Sequence, residues 1–84
     1  MFKLYVTVPC PYCSMVLNAI EQLQLKNIEI IDTEWNQDVH QELRHLYGKT
    51  QVPLLLIDGE PLYESYDIIE YLKEYANDAN RAAN

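Results

Sequence analysis

Cys10-Pro11-Tyr12-Cys13 sets two thiols three residues apart, directly behind an apolar run that ends at Pro9. Where a strand gives way to a helix, the unpaired N–H groups of the first turn point at the incoming residue. The helix macrodipole there favours thiolate over thiol. Cys13 lies about one helical turn on, so its sulfur can reach the first. The chemistry this permits is thiol–disulfide exchange. One thiolate attacks a disulfide, and the second thiol attacks the resulting mixed disulfide and releases the partner. Cys10 is the candidate nucleophile and Cys13 the resolving thiol. Three other uses compete: a buried inert pair, half of a zinc site completed by His40 and His45, and iron–sulfur ligation. The context of strand end, proline and helix start disfavours the first. His40 and His45 stand five apart on a helix, facing different sides, and 26 residues separate His40 from Cys13. Two thiolates are too few for a cluster in one chain. No metal ligand set is assigned.

Two further spots carry chemistry. Val52-Pro53 precedes the apolar run Leu54-Leu55-Leu56-Ile57. A proline at a strand's start removes a ladder donor, and a cis bond there would leave the Val52 backbone unpaired and facing outward. Such an edge can take an extended peptide as an added strand. A plain strand-start proline is an equal reading. Glu64-Ser65 opens the last helical pattern. A helix N-terminus binds carboxylates through its N–H groups, Ser65 adds a hydroxyl, and Glu64 can hold an ammonium group. Together they suit the α-amino-acid end of a small ligand. An ordinary N-cap beside a first-turn acid explains the same two residues.

The elements that position these residues follow from changes of period. Lys3 to Val8 alternates and is rich in β-branched residues, as a strand of about six residues would be. Val16, Ile20 and Leu23 then fall at i, i+4 and i+7, predicting an amphipathic helix of about fourteen residues that starts after Pro11 and that Asn27 can end. Ile28–Asp32 reads as a second strand. Asn36 is a plausible N-cap for a helix carrying Val39, Leu43, Leu46 and Tyr47 on one stripe, with Gly48 at its left-handed end. Leu54–Ile57 is a central strand, Asp58-Gly59 a hairpin turn, and Pro61–Tyr63 a short return strand. Ser65 caps a last helix with Ile68, Leu72 and Tyr75 on its buried stripe and Ile69 and Ala76 beside it. The order β-α-β-α-β-β-α predicts an α/β fold: a four-stranded mixed sheet flanked by three helices. Residues 1–76 form one domain, and 77–84 a small polar tail expected to fray.

Composition narrows the function classes. At 84 residues the chain has room for one domain and a thin margin of stability. Thirteen acidic residues against six basic ones give a charge of −7, which repels phosphate backbones and anionic membrane surfaces. Neither nucleic acid nor membrane is an expected partner, and no apolar run approaches a membrane span. The start lacks a cleavage-site pattern, so the expected compartment is the reducing cytoplasm, where two cysteines do not make a static staple.

In this order and at this length, CPYC, GKTQVPLLLIDG and LYESYDIIEYL resemble the glutaredoxin family of the thioredoxin fold. The last stretch is similar to the N-terminal domain of glutathione transferases. The resemblance runs from Lys3 to about Tyr75. It implies a glutathione-dependent thiol–disulfide oxidoreductase, with Cys10 attacking and Cys13 resolving. It also implies that Val52 pairs its backbone with the cysteine of glutathione, that Pro53 is cis, and that Glu64 and Ser65 bind the γ-glutamyl end. Tyr12 would flank the groove. Lys49 and Gln51 match positions that contact the glycyl carboxylate in relatives, although Lys49 also reads as a solvated loop lysine. Many relatives carry a lysine just before CPYC where this chain has Thr7-Val8-Pro9, which leaves thiolate stabilisation to the helix terminus. The implied reductant is glutathione with no permanently bound cofactor. The implied substrates are glutathionylated or disulfide-containing proteins, met by a monomer. Two alternatives stay open: a thioredoxin-fold module that binds glutathione or a protein without turnover, and a thioredoxin-like carrier recycled by a flavoenzyme.

Overall fold

A computed structural model describes residues 2–7, 10–34 and 36–83, with side chains described up to residue 78. Three helices surround one four-stranded sheet, in the order β1 (Phe2–Val6), α1 (Pro11–Gln22), β2 (Ile28–Asp32), α2 (Gln37–Tyr47), β3 (Leu54–Ile57), β4 (Glu60–Leu62) and α3 (Ser65–Ala83). The sheet order is β2-β1-β3-β4. β1 runs parallel to β2 and antiparallel to β3, which pairs antiparallel with β4. This is the thioredoxin-like arrangement expected from the sequence. β1 opens at Phe2 and closes at Val6, earlier than its periodicity suggested, and the expected strand end at Val8 and Pro9 lies outside the described residues.

Alternation along β1 and β3 divides the core between the two faces of the sheet. Phe2, Leu4, Val6 and Leu55 face α1 and α3, meeting Val16 and Ile20 of the first and Ile68 and Leu72 of the second. Tyr5, Leu54 and Leu56 form a smaller cluster with Leu43 of α2. Both faces are covered, so β3 is one unbroken apolar run. Phe2 meets Tyr75 of α3 edge-to-face, with ring centroids 4.9 Å apart.

Several element ends differ from the sequence expectation. α1 stops at Gln22, well before Asn27. Gln24 adopts a left-handed φ of 56°, and the Gln24 and Leu25 amides donate to the Glu21 and Ile20 carbonyls. That double bond is a Schellman closure, with glutamine at the position glycine usually fills. α2 begins and ends as expected: Asn36 Oδ1 accepts the Val39 amide at 3.2 Å, and Gly48 turns left-handed at φ 79°. Its stripe is narrower than expected, since Leu43 is buried but Leu46 is 56% exposed. β4 begins at Glu60 and ends before Tyr63, after a turn in which Asp58 and Gly59 both take positive φ. In α3 Ala76 is buried and Tyr75 only half-buried, the reverse of the expected order. The same helix continues through residues 77–83, the stretch read from sequence as a small polar tail. Alanines at 79, 82 and 83 supply the helix propensity for that extension.

Candidate functional site

Cys10 stands at the N-cap of α1 in an extended conformation, with Pro11 opening the first turn. Its sulfur accepts the backbone amide of Cys13 at 3.2 Å, and its carbonyl accepts the Ser14 amide at 2.9 Å. An amide aimed at a sulfur is the contact a thiolate accepts well. Both cysteines are free thiols and differ in access. Cys10 is half-buried, whereas Cys13 is 1% exposed and belongs to the main core cluster. Burial, and then the hydrogen bond and charge of neighbouring Cys10, push the Cys13 thiol from 9.0 to about 11, against a smaller downward pull from the Thr7 backbone. The pair is asymmetric, with one reachable sulfur and one held protonated.

That asymmetry has a stability signature. A thiol whose folded pKa is raised contributes fully below its unfolded value, and the contribution is lost as pH rises through the folded value. Under reducing conditions the urea midpoint is expected to fall more steeply between about pH 9 and 11 in the native chain than in Cys13→Ser. Parallel midpoints for the two proteins would show that Cys13 titrates normally.

Beside the dithiol lies a cavity of about 400 Å³ lined by Tyr12, Gln51, Val52, Pro53, Glu64, Ser65 and Tyr66. Three stretches far apart in sequence meet here: the first turn of α1, the segment leading into β3, and the start of α3. The Val52–Pro53 bond is cis. Among the described residues no hydrogen bond engages the backbone of Val52, and its side chain packs against both core clusters. At the third stretch the capping residue is Glu64 rather than Ser65: the Glu64 carbonyl accepts the Ile68 amide at 3.0 Å, and Ser65 is the first helical residue, 6% exposed. Glu64 holds a left-handed φ of 69°. For a non-glycine residue that conformation costs about 1–2 kcal/mol, and it stands directly before a first turn whose amides lack intrahelical partners. Gln51 Nε2 donates weakly to Glu64 Oε1 at 3.4 Å across the cavity rim.

Six of the residues expected from sequence therefore share one cavity with the dithiol beside it. Lys49 does not line it. Its ammonium lies 4.1 Å from the centroid of the Tyr63 ring. Tyr66 lines the cavity as well and is 68% exposed, a second exposed tyrosine beside Tyr12 in its lining. His40 and His45 do not converge on the cysteines. His40 Nε2 lies 2.9 Å from the Thr33 carbonyl, tying α2 to the end of β2, and His45 is exposed. Among the described residues no helix is long and apolar enough to cross a membrane.

Comparison with known proteins supports the family and the fold. Residues 4–80 match the family described as the glutathione S-transferase N-terminal domain. An uncharacterized glutaredoxin-like 8.6 kDa protein from the rubredoxin operon of Clostridium pasteurianum is 36% identical over 61 residues, which span 70% of this chain and 77% of the relative. A thioredoxin-like protein of known crystal structure superposes with a TM-score of 0.71 at 23% identity, covering 88% of this chain and 97% of its own. A Bombyx mori glutathione transferase gives a TM-score of 0.70 at 29% identity, over 84% of this chain and 34% of the transferase. A glutathione transferase homologue from sulfitobacter, solved with bound glutathione, gives 0.74 at 24% identity, over 95% of this chain and 39% of that one. This chain thus spans little more than a third of these two proteins.

Proposed function

Since the chain belongs to the family of glutathione S-transferase N-terminal domains and has a glutaredoxin-like relative, we propose that it is a glutathione-dependent thiol–disulfide oxidoreductase. The observation that carries this reading is the Cys13 amide donated to the exposed-side sulfur of Cys10, at the edge of a cavity built like an amino-acid receptor. A transferase domain that only holds glutathione has no use for a second thiol one turn away.

In the proposed cycle the Cys10 thiolate attacks the glutathionyl sulfur of a mixed disulfide. The substrate leaves as a thiolate and takes up a proton, and Cys10 becomes glutathionylated. A glutathione thiolate then attacks the same glutathionyl sulfur, giving oxidised glutathione and returning the Cys10 thiolate. On a protein disulfide, Cys13 can instead attack the Cys10 sulfur, releasing the reduced substrate and leaving a Cys10–Cys13 disulfide for two glutathiones to reduce. The first route needs no proton from Cys13, and the neutrality of that buried thiol favours it. Glutathione would pair its cysteine backbone with Val52 and set its γ-glutamyl carboxylate on the amides and hydroxyl at Ser65. Its ammonium would lie against Glu64 and its glycyl carboxylate near Lys49 and Gln51. Tyr12 would flank the bound tripeptide.

The test is reduction of a small glutathione mixed disulfide by glutathione, with a flavin-dependent disulfide reductase and NADPH as the competing electron source. Turnover with glutathione alone supports the proposal; turnover only with the flavoenzyme assigns a thioredoxin-like carrier. Glu64→Gln is expected to raise KM for glutathione about tenfold or more, the scale of a charge-assisted hydrogen bond, with kcat little changed. An unaltered KM would remove Glu64 from ligand binding.

A further inference from the structure

Lys49 is an exposed lysine in a chain with a charge of −7, yet no ion pair between described residues involves it. Its ammonium lies instead over the Tyr63 ring, 4.1 Å from the centroid. The difference matters for function. A carboxylate partner would neutralise the ammonium, whereas an aromatic face attracts it through the ring quadrupole and leaves its full charge available to an anion.

The ring is a fixed platform. Tyr63 packs against the cluster of Tyr5, Leu43, Leu54 and Leu56, and its hydroxyl is buried with no hydrogen-bond partner among the described residues. Burial, and secondarily Tyr47, raise its pKa, so the ring stays a neutral phenol. An unpartnered buried hydroxyl costs stability, which leaves the ring rather than the hydroxyl as the useful part of this side chain. Lys49 stands two residues before Gln51, and Tyr63 one before Glu64, so the contact joins the same two segments that wall the cavity. Tyr47 makes a further tie between these regions, donating its hydroxyl to the Gly59 carbonyl at 3.2 Å.

We infer that Tyr63 is a positioning residue for the ligand's carboxylate: its half-buried ring holds the Lys49 ammonium two residues ahead of cavity-lining Gln51, uncompensated and ready for the anion. A free lysine side chain is rich in rotamer entropy, and part of its loss on binding is incurred before the ligand arrives. The inference rests on the glutathione reading and names the device that selects a ligand with a free carboxylate at that end.

The experiment compares the native chain with Tyr63→Leu, Tyr63→Phe and Lys49→Gln, using glutathione and glutathione amidated at its glycine. Tyr63→Leu should raise KM for glutathione about three- to fivefold without lowering kcat, and should have no such effect with the amide. Tyr63→Phe should restore the native KM. In Lys49→Gln the further change to leucine should do nothing. Ring-current shifts of the Lys49 side-chain resonances should vanish in Tyr63→Leu and persist in Tyr63→Phe. A native KM in Tyr63→Leu, or an equal loss with the amidated ligand, overturns the inference while leaving glutathione dependence intact. A native chain that neither binds nor uses glutathione overturns both readings together.

Discussion

Replacing Cys10 by serine is expected to lower turnover of a glutathione mixed disulfide by roughly 10³-fold or more, whereas Cys13→Ser keeps it. Serine is close in size to cysteine, so the helix start and its cap bond can survive while the nucleophile is lost. A hydroxyl is far less acidic and does not form a disulfide with the glutathionyl sulfur, so the covalent intermediate has no substitute. Cys13 occupies a different position in the cycle. Its thiol is buried, and burial, the largest cause of its raised pKa, does not depend on the state of Cys10, so at neutral pH it competes poorly with glutathione for a glutathionylated Cys10. Cys13→Ser removes that side reaction and leaves the two-step route whole. Steady-state rates with glutathione as the only reductant check both statements. Equal loss in the two variants would refute the two-step route, and survival of activity in Cys10→Ser would refute the assignment of the nucleophile.

The second large effect is on stability. Leu55 lies in β3 with its side chain fully buried, opposite Leu4 of β1 and against the α1 and α3 side chains. Leu55→Ala should cost about 2–5 kcal/mol, from lost burial and the cavity left behind. A chain of this size has a total of about 4–13 kcal/mol, so the variant sits near the threshold of folding at 25 °C. Urea unfolding should show a lower midpoint at unchanged slope. Leu46→Ala is the matched contrast. Its 56% exposure and the high helix propensity of alanine place its effect within about 0.5 kcal/mol. Similar losses at both positions would mean that α2 presents a different face to the sheet.

The elements that form the candidate site were legible because their signals are local. A dithiol at a strand-to-helix junction, a proline before an apolar strand and an acid-serine pair at a helix start are each written in two to four adjacent residues. Asn36 and Gly48 marked the ends of α2 for the same reason. Elsewhere the physics was concealed by residue type. Gln24 closes α1 in a conformation that glycine would have announced, since Leu25 and Ile20 together secure the closure. Ser65 has the composition of a cap, but the strained Glu64 takes that place and moves serine into the first turn. The match of Lys49 with Tyr63 joins residues fourteen apart on different segments, and no periodicity encodes such a pairing. Leu46 fits a helical stripe by spacing, yet the sheet under α2 covers only the arc centred on Leu43.

The division of the core into a larger and a smaller cluster makes the molecule unequal in cohesion. Cys10, Cys13 and the start of α3 are bound to the larger half, whereas α2 leans on Leu43 and the His40 contact with Thr33. Partial openings of a small domain follow such seams. A fluctuation that lifts α2 pulls on the segment from Gly48 to Gln51, which leads into the cavity, and leaves the sulfurs where they were. On the proposed reading, warming or mild denaturant is then expected to weaken ligand binding before it disturbs Cys10. Substitutions along α2 can likewise retune affinity over a wide range while the exchange chemistry stays constant.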